Sequence, residues 1–83
     1  MDKNKIIETI RNVISEEAEI PKENIQEDSL LMSDLDLSSM EVFTIVGLLE
    51  EEFFVETDVS ELNQISTVGE LADYIASVIQ KGM

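Results

Sequence analysis

The stretch "SDLDLSSMEVF", Ser33 to Phe43, decides how the chain is read. Acidic residues alternate with leucines, and two serines then stand side by side at the head of an apolar-periodic run. Three readings compete: a calcium loop, a helix cap, and a serine left free to take an attached group. The calcium reading fails at its most constraining positions. Asp34, Asp36 and Ser38 have the spacing of EF-hand ligands, but the turn position that needs Gly is Ser39, and the closing bidentate Glu is Ile45. No metal site is expected. The cap reading holds together better. Ser38 and Glu41 have capping-box spacing, worth about 1 kcal/mol to a helix that starts there. Ser38 is then the helix cap, with its hydroxyl engaged, and Ser39 is the first helical residue, with its hydroxyl free.

Working outward, residues 39–53 read as a helix with Val42, Ile45, Val46, Leu49 and Phe53 on one face. At ~100° per residue, Ser39 heads a second face that continues through Met40, Phe43, Gly47, Glu50 and Glu51. That face is apolar near the serine and acidic further down. It is either an extension of the core beneath a loop or a surface for a partner. A free hydroxyl at a helix N-terminus, beside unpaired amides and the positive end of the dipole, suits an attached or approaching phosphate. The plainer alternative is a tolerated first-turn serine.

Residues 3–17 form another amphipathic pattern, with Ile6, Ile7, Ile10, Val13 and Ile14 on one stripe and Pro21 breaking the chain beyond it. The connection 18–37 is long, yet it carries Ile20, Ile25, Leu30, Leu31, Met32, Leu35 and Leu37. Such a loop is expected to fold over the bundle and fill part of its core. A short helix is expected near 59–64. A last helix is expected over 67–80, opened by the box Thr67–Glu70 and stopped by Gly82. The fold class is therefore all-α: a small four-helix bundle with three main helices, one short third helix and a long loop between helices 1 and 2. Residues 1–83 are expected to be one domain.

Composition narrows function. The 83 residues contain no Cys and no His, which removes thiol nucleophiles, thiolate zinc sites and the usual neutral-pH general base. No independent enzyme is expected. The net charge is −14, and from Glu23 to Gln80 there are fourteen acids and no base. A field of that sign repels nucleic acid and anionic membranes and steers basic proteins towards the chain. No apolar run approaches the ~18 residues of a membrane span. A cytoplasmic monomer is expected.

The segments "DLDLSSMEVFTIVGLLEEEF" (Asp34–Phe53) and "ISTVGELADYI" (Ile65–Ile75) resemble the centre and last helix of acyl carrier proteins. The likeness covers nearly the whole chain. It implies that Ser39 is esterified with 4′-phosphopantetheine by a separate transferase that uses coenzyme A and Mg²⁺. The arm's thiol would then carry acyl groups as thioesters between enzymes of fatty-acid or related polyketide-type biosynthesis. The resemblance makes Met40, Glu41, Phe43, Gly47, Glu50 and Glu51 a docking face for basic patches on the phosphopantetheinyl transferase and on acyl-transfer and condensing enzymes. It makes Leu49, Leu62, Ile65 and Leu71 candidates for sheltering an acyl chain; on the residues alone they are ordinary core. The chain departs from the family pattern in carrying Ser38 where Asp is usual and Met40 where Leu is usual. Asp36 and Leu37 replace small residues, Thr44 stands where an acid is frequent, and Gly47 where a larger apolar residue is frequent. These departures bear on the partner set more than on the carrier role. The rival readings are a carrier of another cargo, such as an aminoacyl group, and an acidic helical adaptor with no prosthetic group.

Overall fold

The computed structural model describes residues 2–81, so the expected stop at Gly82 lies outside the described residues. The elements run α1 (Lys3–Ala18), a 3-10 turn (Lys22–Asn24), α2 (Ser39–Phe53), α3 (Val59–Leu62) and α4 (Val68–Lys81). This is the expected all-α bundle of three main helices and one short one. Among the described residues, the strand-like pairing is a single isolated bridge between Leu30 and Thr67.

Helix α1 starts where Asp2 accepts a hydrogen bond from the Asn4 N–H (3.0 Å) and buries Ile6, Ile10 and Ile14. It ends at Glu19 in the left-handed conformation (φ 56°), with the Ser15 hydroxyl donating to the Ile20 carbonyl (2.6 Å) and Pro21 following. α1 packs against α4 and α2. Their apolar stripes, Ile45, Val46 and Leu49 from α2 and Val68, Leu71, Ala72 and Ile75 from α4, close the core with it.

The long loop belongs to that core. Ile25, Leu31, Leu35 and Leu37 are buried, whereas Leu30 and Met32 stay exposed. Its backbone is laced to the approach of α4: the Leu31 N–H donates to the Ser66 carbonyl (2.9 Å), Val68 to Ser29 (3.1 Å) and Gly69 to Glu27 (2.8 Å). Arg11 on α1 secures the other end, donating to the carbonyls of Ile25 (2.7 Å) and Lys22 (2.9 Å). Asp34 caps a turn inside the loop, accepting from the Leu30 N–H (2.8 Å), so the carboxylate that resembles a calcium ligand has a structural partner.

Two helical glycines differ in what surrounds them. A Cβ at Gly47 would meet nothing within 4 Å, while one at Gly69 would lie 2.9 Å from the Glu27 Cγ and 3.2 Å from its carbonyl oxygen. Gly47→Ala is therefore expected to stabilise the fold by about 1 kcal/mol through helix propensity. Gly69→Ala is expected to destabilise it by about 1–3 kcal/mol, because the loop must give way. Urea melts of the two variants check the opposite signs.

Candidate functional site

Helix α2 begins with a closed capping box. The Ser38 hydroxyl accepts from the Glu41 N–H (3.1 Å), and the Glu41 carboxylate accepts from the Ser38 N–H (3.0 Å). Ser38 is extended (φ −79°, ψ 165°), as an N-cap must be, and helical bonding begins when the Val42 N–H donates to its carbonyl (3.0 Å). The two serines thus differ physically. Ser38 is locked in the cap. Ser39 is the first helical residue and is exposed, and among the described residues no hydrogen-bond partner holds its hydroxyl. The amides of Ser39 and Met40 lie ahead of the first helical hydrogen bond, where an anion is favoured.

Ser39 stands on the rim of an apolar cavity of about 140 Å³ lined by Leu31, Met32, Val42, Phe43, Leu62, Asn63 and Ile65. Its walls come from the long loop, α2, α3 and the segment after α3. Of the four residues that the resemblance nominates for sheltering an acyl chain, Leu62 and Ile65 line this cavity. Leu49 and Leu71 do not: they are 0% and 1% exposed and belong to the central core between the main helices. Their burial follows from the stripe they share with Ile45 and Ile75. Leu31 and Met32 of the loop line the cavity as well. Their only signal in the sequence is the unusual apolar density of the connection.

The second face of α2 is largely free. Met40 (78% exposed) and Phe43 (47%) stand next to Ser39, Glu51 is exposed, and Gly47 floors an open cleft. Glu50, expected on the docking face, also has partners within the chain. Its carboxylate turns back along the chain and accepts from the Thr57 N–H (2.7 Å) and hydroxyl (2.8 Å). Glu41 likewise has its carboxylate in the cap. Three of the cations are paired elsewhere, and Lys81 borders the α2–α3 loop from the end of α4. Lys3 pairs with Asp73 (2.8 Å), Arg11 with Glu8 (3.1 Å), and Lys22 with Glu8, all around α1. α2 itself carries four acids and no base.

The last helix opens with a second box. The Thr67 hydroxyl accepts from the Glu70 N–H (3.1 Å), and the Glu70 carboxylate accepts from Ser66 and Thr67 (both 2.9 Å). Those backbone donors, Ser66 first and then Thr67, hold the Glu70 carboxyl below the usual glutamate range. A lowered folded-state value contributes stability above the unfolded value, and that contribution is lost as the pH falls through the folded one. The melting-temperature gap between the parent and Glu70→Gln is therefore expected to be constant above about pH 5 and to shrink below about pH 4.3. A thermal-melt series in pH measures it.

A helical bundle whose exposed serine heads its second helix, above an apolar cavity and beside an acidic face, is the architecture of a carrier domain. Comparison with known proteins agrees. The family described as "Phosphopantetheine attachment site" matches residues 8–75. The acyl carrier protein of Lactobacillus acidophilus is 34% identical over 77 residues, 93% of this chain and 96% of that one. That of Borreliella burgdorferi is 32% identical over 75 residues, 90% and 94%. A solved structure of the Enterococcus faecalis acyl carrier protein superposes with a TM-score of 0.76 at 28% identity, covering 94% of this chain and 99% of that one. The chain belongs to the acyl carrier protein family and carries acyl groups by way of phosphopantetheine. Proteins of the family work with a phosphopantetheinyl transferase and with acyl-transfer enzymes, and they are carriers rather than catalysts. No helix among the described residues is long and apolar enough to cross a membrane.

Proposed function

We propose that Ser39 is the residue that takes the 4′-phosphopantetheine arm. The observation that carries this reading is the division of labour between the serines: the Ser38 hydroxyl is held by the Glu41 N–H, and that of Ser39 is free on the cavity rim. The residues around Ser39 fit a phosphodiester-linked arm. Unpaired first-turn amides and the positive helix end favour its negative charge. The Glu41 carboxylate, the nearest acid along the helix, is tied to the Ser38 N–H. Once attached, the arm supplies the thiol that this chain lacks and holds cargo as a thioester.

The chain's own residues bind and present. Leu31, Met32, Val42, Leu62 and Ile65 offer apolar walls to the part of an acyl chain nearest the arm. Met40, Phe43, Gly47, Glu50 and Glu51 form the docking face, with Glu41 as cap and nearby charge. Uncompensated acids on this side favour enzymes with basic patches, chiefly by speeding encounter, and the effect weakens with salt. Cargo tethered to Ser39 would be held at a raised effective concentration wherever the docking face binds, so weak and brief docking would suffice. The cargo is an acyl chain of fatty-acid or polyketide-type biosynthesis, a reading supported by the apolar cavity and by the names of the relatives. Residues 1–83 act as one monomeric carrier unit in the cytoplasm, without catalysis of their own and without nucleic-acid or membrane partners, in keeping with the net charge of −14.

Incubation with coenzyme A, Mg²⁺ and a phosphopantetheinyl transferase, followed by intact-mass measurement, tests the reading. A gain of one phosphopantetheine per chain is expected, and an unmodified chain would contradict it.

A further inference from the structure

We infer that Glu50 is a positioning residue: its carboxylate clamps the α2–α3 loop and so holds α3 closed over the cavity beside Ser39. The inference rests on the reading of that cavity as the cargo's shelter. Glu50 sits in the last turn of α2, next to Glu51 and Glu52, where the helix dipole gives no support to an acid. It is nonetheless half-buried, and both hydrogen bonds of its carboxylate come from Thr57, at 2.7 and 2.8 Å. The next residue is held from the opposite side. The Asp58 N–H donates to the Tyr74 hydroxyl of α4 (2.8 Å), and that hydroxyl donates on to Glu61 (3.4 Å). The loop is thus pinned between α2 and α4 immediately before α3 begins at Val59.

Helix α3 needs that support. It is four residues long, its buried residue is Leu62, and it lies outside the main helix–helix packing. Leu62, Asn63 and Ile65 nevertheless form one wall of the cavity beside Ser39. Glu50 and Thr57 also line the open cleft floored by Gly47, on the face proposed to dock partners. A partner cation arriving there competes with Thr57 for the same carboxylate. Its capture would release the loop, shift the population towards an open α3 and expose the cargo, so docking and release would be coupled through one side chain.

Hydrogen exchange on the chain without its arm tests the clamp, with Glu51→Ala as a control that removes the same charge. Glu50→Ala is expected to speed exchange of the Thr57–Leu62 amides at least tenfold over Glu51→Ala, leaving α1 and α4 unchanged. Glu50→Gln, which keeps an acceptor oxygen, is expected to fall between. Adding Thr57→Val to Glu50→Ala is expected to change nothing further. With an octanoyl thioester loaded on the arm, hydroxylamine is expected to cleave Glu50→Ala several-fold faster than Glu51→Ala. Intact mass of each loaded variant separates failure to take the arm from failure of the clamp. Equal exchange in Glu50→Ala and Glu51→Ala overturns the inference, and so does faster exchange with unchanged thioester cleavage.

Discussion

Leu49→Ala is expected to lower the unfolding free energy by about 2–5 kcal/mol, because it removes a fully buried side chain and leaves a cavity that the bundle fills only in part. Leu49 is 0% exposed and sits on the inner stripe of α2 with Ile45 and Val46. At roughly 0.05–0.15 kcal/mol per residue, a chain of this length has a total stability of about 4–12 kcal/mol. The substitution therefore removes a large share of it. Urea melts should show a lower midpoint with an unchanged slope, the mark of lost stability rather than of an altered unfolded state. The same experiment distinguishes core from cavity wall. Were Leu49 a partly exposed lining residue of the cavity beside Ser39, truncation would remove less buried surface and cost correspondingly less. Ile65, only partly buried on that cavity, supplies the contrast: Ile65→Ala is expected to cost less than Leu49→Ala.

The second large effect is a crossing of two neighbouring serines. Ser39→Ala is expected to abolish loading of the arm, and with it all acyl carriage, while leaving the melting curve of the unmodified chain within about 0.5 kcal/mol of the parent. The exposed hydroxyl supports nothing in the fold, so its removal leaves no buried group unpaired. Ser38→Ala is expected to do the reverse. It should lose about 1 kcal/mol, the value of an N-cap, because the Glu41 N–H loses its acceptor. Loading should persist, since Ser39 remains at the head of α2. Loss of loading in Ser38→Ala with full loading in Ser39→Ala would reverse the assignment. Denaturant melts and intact-mass measurements on the two variants make the comparison.

Much of the fold was legible because it rests on local rules. The spacing of Ile6, Ile10 and Ile14, and of Ile45, Val46 and Leu49, places the main helices and their buried faces. Both capping boxes, Ser38–Glu41 and Thr67–Glu70, are visible as residue pairs three apart, and the structure closes both. The apolar density of the connection before α2 shows that this loop joins the core. What it does not show is which backbone groups meet, since bonds such as Leu31 to Ser66 join residues far apart in the chain and leave no local pattern. The need for Gly69 was hidden for the same reason: the atom a Cβ would meet belongs to Glu27.

The site divides along the same line. That Ser39, Met40, Phe43 and Gly47 share a face follows from helical geometry once the cap is assigned, because a helix face is a function of spacing; a role for Ser39 comes from the resemblance to the family and not from the spacing. Glu50 shows where that logic stops. It stands on the second face, and its carboxylate is bound by Thr57, a residue in the loop beyond the helix. Leu49 and Leu71 illustrate the converse. Residues of one apolar type look interchangeable along a stripe, and only the packing of the loop and α3 decides which of them border the space beside Ser39.

The most direct test of the account is to locate the modification on the chain. After reaction with coenzyme A and a phosphopantetheinyl transferase, proteolysis and fragmentation of the peptide spanning Asp34 to Phe53 resolves the two serines. The phosphopantetheine mass is expected on Ser39 alone. Its appearance on Ser38, or on any residue outside this peptide, would contradict the assignment of Ser39.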